Sequence, residues 1–275
     1  MTTDSQKMAV CLIVYSLFFS ACRDNVIPPD QIGSASDSTS KAYTAPKSSL
    51  TGPNNTTLAV DSVTITWKGN QDGMSFSYSV DGAGWSAFTS ATSITLTDLD
   101  EGAHTFSVRA KHENGTNIES SPPSITFNVS AVTGPAIMFF PRKKNVALGS
   151  AFSYSVQAEK IGTNLLAAKI SLQVQANFLQ VDSVTAGGFV KQNGETPILF
   201  WAINTTKDTV IIDVAAAGGA ISGVSGSGAL ANLYCHAKAS GLTMINFVAA
   251  QTAYRDTVGN AIPMNMVISG KVVAQ

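Results

Sequence analysis

The sequence predicts an all-β protein of two β-sandwiches that follow an N-terminal segment of different character. Apolar residues alternate with polar ones over many short segments, as in "MSFSYSV" (74–80) and "HTFSVRA" (104–110). Such alternation is typical of strands with one buried face. Asp-Gly and Asn-Gly pairs between these segments are turn signals, and long amphipathic helical patterns are absent. A chain of 275 residues is long enough for two separate cores.

The charge balance argues against nucleic acid as a partner. Only 13% of the residues are charged, and the formal net charge is −1. A nucleic-acid-binding protein needs a basic surplus to neutralise phosphates. The only basic run is "PRKKN" (141–145), which we expect to be a solvated loop.

Residues 1–21 are predicted to be a lipoprotein signal peptide. An uncharged apolar run follows Lys7 and extends from Met8 to Ala21, shorter than the about 20 residues that span a membrane. The run ends in Phe19-Ser20-Ala21-Cys22, which resembles the lipobox of bacterial lipoproteins. The resemblance implies that Cys22 is lipidated and anchors the chain to a bacterial membrane in the cell envelope, with the outer membrane and the cell surface both open. The alternative is an ordinary secretory signal with an incidental cysteine.

The next segment, residues 22–56, is predicted to be a disordered tether. It is rich in Ser, Thr, Pro and Asp and has no hydrophobic periodicity. If Cys11 leaves with the signal peptide and Cys22 is acylated, Cys235 has no partner for an intramolecular disulfide.

Residues 57–132 resemble a fibronectin type III or Ig-like module of bacterial extracellular proteins. The stretch "YSVDGAGWSAFTSATSITLTDLDEGAHTFSVRAKHENG" carries the resemblance. In it, His104 stands where many members have a Tyr that ties a strand corner to nearby backbone. The resemblance therefore implies a structural hydrogen bond for His104 rather than a catalytic role. The motif positions are Leu99, Gly102, His104, Phe106, Val108 and Ala110.

Residues 137–275 resemble a cohesin domain. The segments "LAAKISLQVQANFLQVDSVTAGG" and "GSGALANLYCHAKASGLTMINF" follow the order and spacing of that family. Cohesins are jelly-roll sandwiches that hold the dockerin modules of cellulosomal enzymes, and some carbohydrate-binding modules share their fold. The resemblance implies a cohesin-like jelly roll whose partner is a dockerin-like protein or a polysaccharide.

Strand parity decides whether Cys235 and His236 form a catalytic pair. Ala231, Leu233 and Cys235 share one parity, and His236 has the other. Because successive side chains of a strand point to opposite faces, we expect Cys235 in the core and His236 outside it. A Cys–His dyad needs both groups within hydrogen-bond reach, so this pair predicts scaffold.

The family's binding face, if retained, consists of outward residues of the strands in 137–275. Gln175 stands where many cohesins have an Asp that hydrogen-bonds the partner. The alternative is a face that is merely solvated. The predicted partner-binding residues are Gln173, Gln175, Trp201, Asp213, Tyr234 and His236.

The sequence predicts no catalytic residue, no cofactor and no metal site. It has no metal-binding His or Cys spacing, no G-x-S-x-G elbow and no phosphate loop that opens a helix. The acidic residues Asp98, Asp100 and Glu101 lie within one turn, where we expect them to be solvated.

Two hypotheses for the function remain. The first is a non-catalytic, lipid-anchored binding protein, with a role in polysaccharide capture or catabolism open. The second is an envelope lipoprotein that serves only as a spacer or assembly module.

Overall fold

The computed structural model describes residues 38–39, 42–191, 194, 196–217 and 222–275. The predicted signal peptide, the predicted lipidation site Cys22 and most of the first half of the predicted tether lie outside these residues. Among the described residues, no helix is long and apolar enough to cross a membrane.

The described part of the chain is all-β, as predicted, with two single-turn 3-10 helices at Phe189–Lys191 and Ala249–Gln251. In chain order the strands are β1 (Ser48–Thr51), β2 (Thr56–Leu58), β3 (Val63–Gly69), β4 (Met74–Val80), β5 (Ser93–Leu96), β6 (Gly102–His112), β7 (Ser124–Val129), β8 (Ala136–Phe140), β9 (Lys143–Val146), β10 (Ala151–Gln173), β11 (Leu179–Ala186), β12 (Thr196–Ile203), β13 (Thr209–Ala217), β14 (Val224–Ala237), β15 (Gly241–Phe247), β16 (Ala253–Asp256), β17 (Ala261–Ile262), β18 (Met266–Ile268) and β19 (Gly270–Ala274). They form a three-stranded sheet (β1-β3-β5), a four-stranded sheet (β2-β7-β6-β4) and a twelve-stranded sheet.

The chain divides into two compact units. Unit 1 contains the described residues up to 51, together with 67–92 and 106–124. Unit 2 contains 52–66, 93–105 and 125–275. The predicted domain ranges 57–132 and 137–275 do not follow this division, and as independently folding domains they stay a prediction.

The core of unit 1 is aromatic. Trp67 from β3 stacks on Phe106 from β6, with ring centroids 5.8 Å apart, and also meets Phe76 from β4 at 6.4 Å. Phe106 stacks on Tyr78 at 5.7 Å. Because β3 belongs to one sheet and β4 and β6 to another, these rings form the hydrophobic layer of a sandwich.

The C-terminal end of the predicted tether 22–56 contains strand residues. Residues within it form β1 and the start of β2, and Pro46 is buried. Ser48 is held by the buried carboxylate of Glu119, which accepts hydrogen bonds from the Ser48 backbone N–H (2.9 Å) and hydroxyl (2.6 Å). β1 has the sequence SSLT, so it shows no hydrophobic periodicity from which a strand could be predicted. Hydrogen bonds hold it in place instead.

The acidic turn at 98–101 in unit 2 is paired rather than merely solvated. Asp98 forms an ion pair with Lys271 at 2.6 Å, and Glu101 forms one with Lys160 at 3.1 Å. Asp100 accepts a hydrogen bond from the backbone N–H of Arg142 at 2.6 Å. The expectation that these carboxylates are only solvated is therefore wrong.

His104 is a structural residue, as predicted. Its side chain is buried, and its Nε2 lies 2.8 Å from the backbone oxygen of Asp100. The ring stacks on Phe127 of the same unit, with centroids 5.6 Å apart.

The larger part of unit 2 is a sandwich in which the long strand β10 belongs to both layers. Its first half pairs with β14 and β8, and its second half pairs with β13 and β16. Buried residues from both halves, among them Val156 and Ile170, belong to one hydrophobic core. At one side of the sandwich, β11 pairs with β14 in the first layer, and β12 pairs with β13 in the second. The edge strands β11 and β12 therefore border the same side of the core.

Candidate functional site

The outer surface of the second layer of unit 2 carries large exposed apolar side chains in regular rows. Phe200 of β12 lies opposite Asp213 of β13, which lies opposite Lys169 of β10. One row along, Ile198 lies opposite Ala215, which lies opposite Ala167. We call this surface the Phe200 face and define it by Ile198, Phe200, Ile211, Asp213, Lys169 and Arg255.

The exposure of this face is high for side chains of this size. Phe200 is 70% exposed, Ile198 is 45% exposed and Ile211 is 36% exposed. A shallow cavity of about 350 Å³ lies between Phe200, Ile198 and Arg255. Soluble proteins rarely leave neighbouring large apolar side chains uncovered without an interaction to serve.

Charged groups lie among the apolar ones. Within the described part of the chain, Lys169 and Asp213 have no ion-pair partner and no side-chain hydrogen bond, although they lie opposite each other on neighbouring strands. The Arg255 guanidinium makes one hydrogen bond of 3.4 Å, to the backbone oxygen of Gly259. The face therefore offers one negative and two positive groups whose charges remain available to a partner.

Trp201 does not lie on this face, contrary to the prediction that it points outward. It packs against the core of unit 2 together with Leu199 and Ile203. Apolar residues occupy both parities of β12, so alternation alone did not reveal which side was buried. Phe200, which the sequence prediction missed, takes the outward position.

The other predicted partner-binding residues are divided between the two layers. Gln173 and Asp213 are exposed on the second layer, whereas Tyr234 (43% exposed) and His236 lie on β14 in the first layer. Gln175 is exposed just beyond β10, and its side-chain oxygen accepts a hydrogen bond from the Thr243 hydroxyl at 3.1 Å. The six residues therefore do not form a single surface, because β10 passes from one layer to the other between their strands.

Cys235 and His236 point to opposite sides of β14, as predicted. Cys235 is fully buried, and burial together with the negative charge of Asp182 raises the pKa of its thiol to about 12. His236 is exposed, and its Nδ1 hydrogen-bonds the carboxylate of Asp182 on β11. The thiol and the imidazole cannot act as a catalytic pair.

No group of three or more His, Cys, Asp or Glu side chains in the described ranges is arranged to hold a metal ion.

No family model matches the sequence, and no curated protein matches it. Among solved structures, the chain is similar to a non-cellulosomal cohesin from Archaeoglobus fulgidus, with 14% identity and a TM-score of 0.40 over 51% of this chain and 88% of that one. It is also similar to a chain of a type I cohesin–dockerin complex from Clostridium thermocellum (13% identity, TM-score 0.44, 51% and 92% covered). A third similar structure is the solution structure of CaCohA2 from Clostridium acetobutylicum (16% identity, TM-score 0.43, 51% of this chain and 90% of that one covered).

Proposed function

We propose that this chain is a non-catalytic binding protein that captures a protein partner on the Phe200 face. The observation that carries the proposal is the exposure of Phe200, Ile198 and Ile211 on one regular sheet surface. A sheet face is rigid, so these side chains meet a partner with little loss of conformational freedom.

The composition of the face supports a protein as the partner. Binding hot spots combine an aromatic or aliphatic anchor with polar groups around it. Phe200 supplies the anchor, and Asp213, Lys169 and Arg255 supply charges of both signs that fix the orientation of the partner.

A finer proposal is that the partner is a dockerin-like module. Its support is the resemblance of the sequence 137–275 to cohesins. The chain departs from that family at Gln175, which stands where many cohesins have the Asp that hydrogen-bonds the partner. In this chain the apolar anchor at Phe200 takes a larger share of the binding energy than a single charged contact.

A further part of the proposal is that the chain is held at a bacterial membrane by a lipid on Cys22. The support is the lipobox-like Phe19-Ser20-Ala21-Cys22 after an apolar run. Replacing Cys22 with Ser should move the protein from the membrane fraction to the soluble envelope fraction. A Cys22→Ser variant that stays in the membrane fraction would rule out this anchor.

Site-specific photo-crosslinking in cells tests the general proposal and does not require that the partner be identified first. A photoreactive phenylalanine at position 200 should crosslink to a protein, and the same residue at position 148 should not. Leu148 is a matched control because it is apolar and 53% exposed but lies on the turn that precedes β10, away from the face. If position 200 gives no protein adduct, the spacer hypothesis is preferred.

Calorimetric titration with purified dockerin modules tests the finer proposal. Phe200→Ala should weaken binding by about 2 kcal/mol, or roughly thirtyfold, as expected for an interface anchor. Leu148→Ala should change binding by less than about 0.5 kcal/mol. Absence of binding by every dockerin, together with a crosslink at position 200, would leave the protein-binding proposal intact and reject the dockerin.

A further inference from the structure

A second cavity of unit 2 lies between the edge strands β11 and β12, apart from the Phe200 face. Its volume is about 310 Å³, at the lower end of the range for small-molecule sites, with room for a ligand the size of one sugar ring. Its lining residues include Gln180, Asp182, Trp201, Thr206, Lys207 and Lys238.

One wall of this cavity is aromatic. Trp201 packs against the core on one side and contributes to the cavity lining on the other. The indole N–H of Trp201 donates no hydrogen bond to any group in the described part of the chain. The indole therefore offers an apolar ring surface and a free donor together.

The lining also holds a carboxylate, that of Asp182, in a fixed orientation. One carboxylate oxygen of Asp182 is hydrogen-bonded to Nδ1 of His236, and the other accepts a hydrogen bond of 2.7 Å from the side-chain amide of Gln180. A carboxylate held by two side chains is an oriented acceptor for a ligand hydroxyl.

Two lysines, Lys207 and Lys238, also line the cavity. The Lys207 ammonium group makes no hydrogen bond or ion pair with the residues that the structure describes, and the Lys238 ammonium group donates a 2.7 Å hydrogen bond to the backbone oxygen of Ala176. An ammonium group has three donors, so Lys238 keeps donors for a ligand. The charged groups of the lining are therefore two ammonium groups and one carboxylate.

We propose that this cavity binds a sugar ring of a glycan, and an acidic sugar in preference to a neutral one. The indole of Trp201 contacts the apolar face of the ring. Asp182 accepts hydrogen bonds from ring hydroxyls, and Lys207 and Lys238 attract the sugar carboxylate. This cavity shares no lining residue with the cavity on the Phe200 face, so the two proposals are tested independently.

Nuclear magnetic resonance of the tryptophan indole groups in the full chain tests the proposal. The chain has three tryptophans, and a Trp201→Phe variant assigns the Trp201 signal by its loss. Glucuronate should shift the Trp201 signal saturably and leave those of Trp67 and Trp85 in place. Glucose should bind more weakly, and acetate should leave the signal unchanged, because it offers a carboxylate but no ring.

Two variants locate the site. Lys207→Gln should weaken glucuronate binding about tenfold, as expected for loss of one charge-assisted hydrogen bond, and should reduce the preference over glucose. Lys143→Gln changes an exposed lysine that does not line the cavity and should have no effect. The proposal would be overturned if the Trp201 signal responded to neither sugar or responded equally to acetate. It would also be overturned if Lys207→Gln and Lys143→Gln changed the glucuronate affinity equally.

Discussion

Phe200 and Trp201 are neighbours in the chain, yet they lie on opposite sides of β12. Phe200 is 70% exposed, whereas Trp201 packs against the core of unit 2. The two aromatic residues therefore have different roles. Phe200 contributes contact area at the surface, and Trp201 contributes stability and one wall of the cavity beside β11.

Replacing each of them with Ala should separate these roles. Trp201→Ala should lower the free energy of unfolding by about 2–3 kcal/mol, because it removes a large, partly buried side chain that packs against the core. Phe200→Ala should change it by less than about 1 kcal/mol, because the lost side chain is mostly in water. Urea unfolding followed by circular dichroism measures both. Equal losses for the two variants would contradict the assigned orientation of β12.

Cys235 should be chemically idle in the folded protein. Its thiol is fully buried, and a pKa of about 12 leaves about a thousandfold less thiolate near neutral pH than a thiol with the ordinary pKa of 9.0. With Cys11 and Cys22 replaced by Ser, a water-soluble thiol reagent at pH 8 should label the native chain far more slowly than the unfolded chain.

A volume-conserving change provides the second half of this test. Cys235→Val should cost less than about 1.5 kcal/mol of unfolding free energy, because the site is apolar. Rapid labelling of the native thiol, or a large loss of stability in the Val variant, would mean that Cys235 is not a simple core residue.

The sequence predicted the fold class and the side of β14 that is buried, since Leu233, Cys235 and Ala237 alternate cleanly with polar residues. It did not predict the orientation of β12, where apolar residues follow one another in "ILFWAI" and period two has two solutions. It also missed pairs such as Asp98 with Lys271, which lie 173 positions apart in the chain. No local pattern indicates such a contact, which depends on the packing of the whole unit.

The Asp98–Lys271 ion pair should make unit 2 sensitive to acid. Burial raises the pKa of the Asp98 carboxyl, but the hydrogen bond and the positive charge of Lys271 outweigh it, so the pKa lies below the ordinary value of 3.8. A carboxyl whose pKa is lower in the folded state stabilises the fold above its unfolded pKa. This contribution is therefore present above about pH 4 and is lost as the pH falls through the lower folded pKa.

Asp98→Asn tests this dependence. At pH 7 the variant should be less stable by about 1 kcal/mol, a modest value because the pair is partly exposed to solvent. The difference from the unmodified chain should shrink as the pH is lowered below 4. Asp72→Asn, at an exposed carboxyl, serves as the control and should give no such difference. A stability difference that is constant from pH 7 to pH 2 would show that the charge of Asp98 is not responsible.

The last prediction concerns Glu119 and the true end of the tether. Its buried carboxylate accepts hydrogen bonds from the backbone N–H groups of Ser48 (2.9 Å) and Ala110 (3.0 Å) and from the Ser48 hydroxyl (2.6 Å), so it ties β1 to β6 within unit 1. Glu119→Ala should cost about 2–3 kcal/mol, because it leaves buried donors without their charged acceptor. Removing residues 22–51 should destabilise unit 1 by a similar amount, whereas removing only 22–41 should have no effect. Thermal and urea unfolding of the three variants measure these changes. If the longer deletion unfolds at the same midpoint as the shorter one, β1 contributes nothing to the fold and the tether extends to residue 56, as the sequence alone predicts.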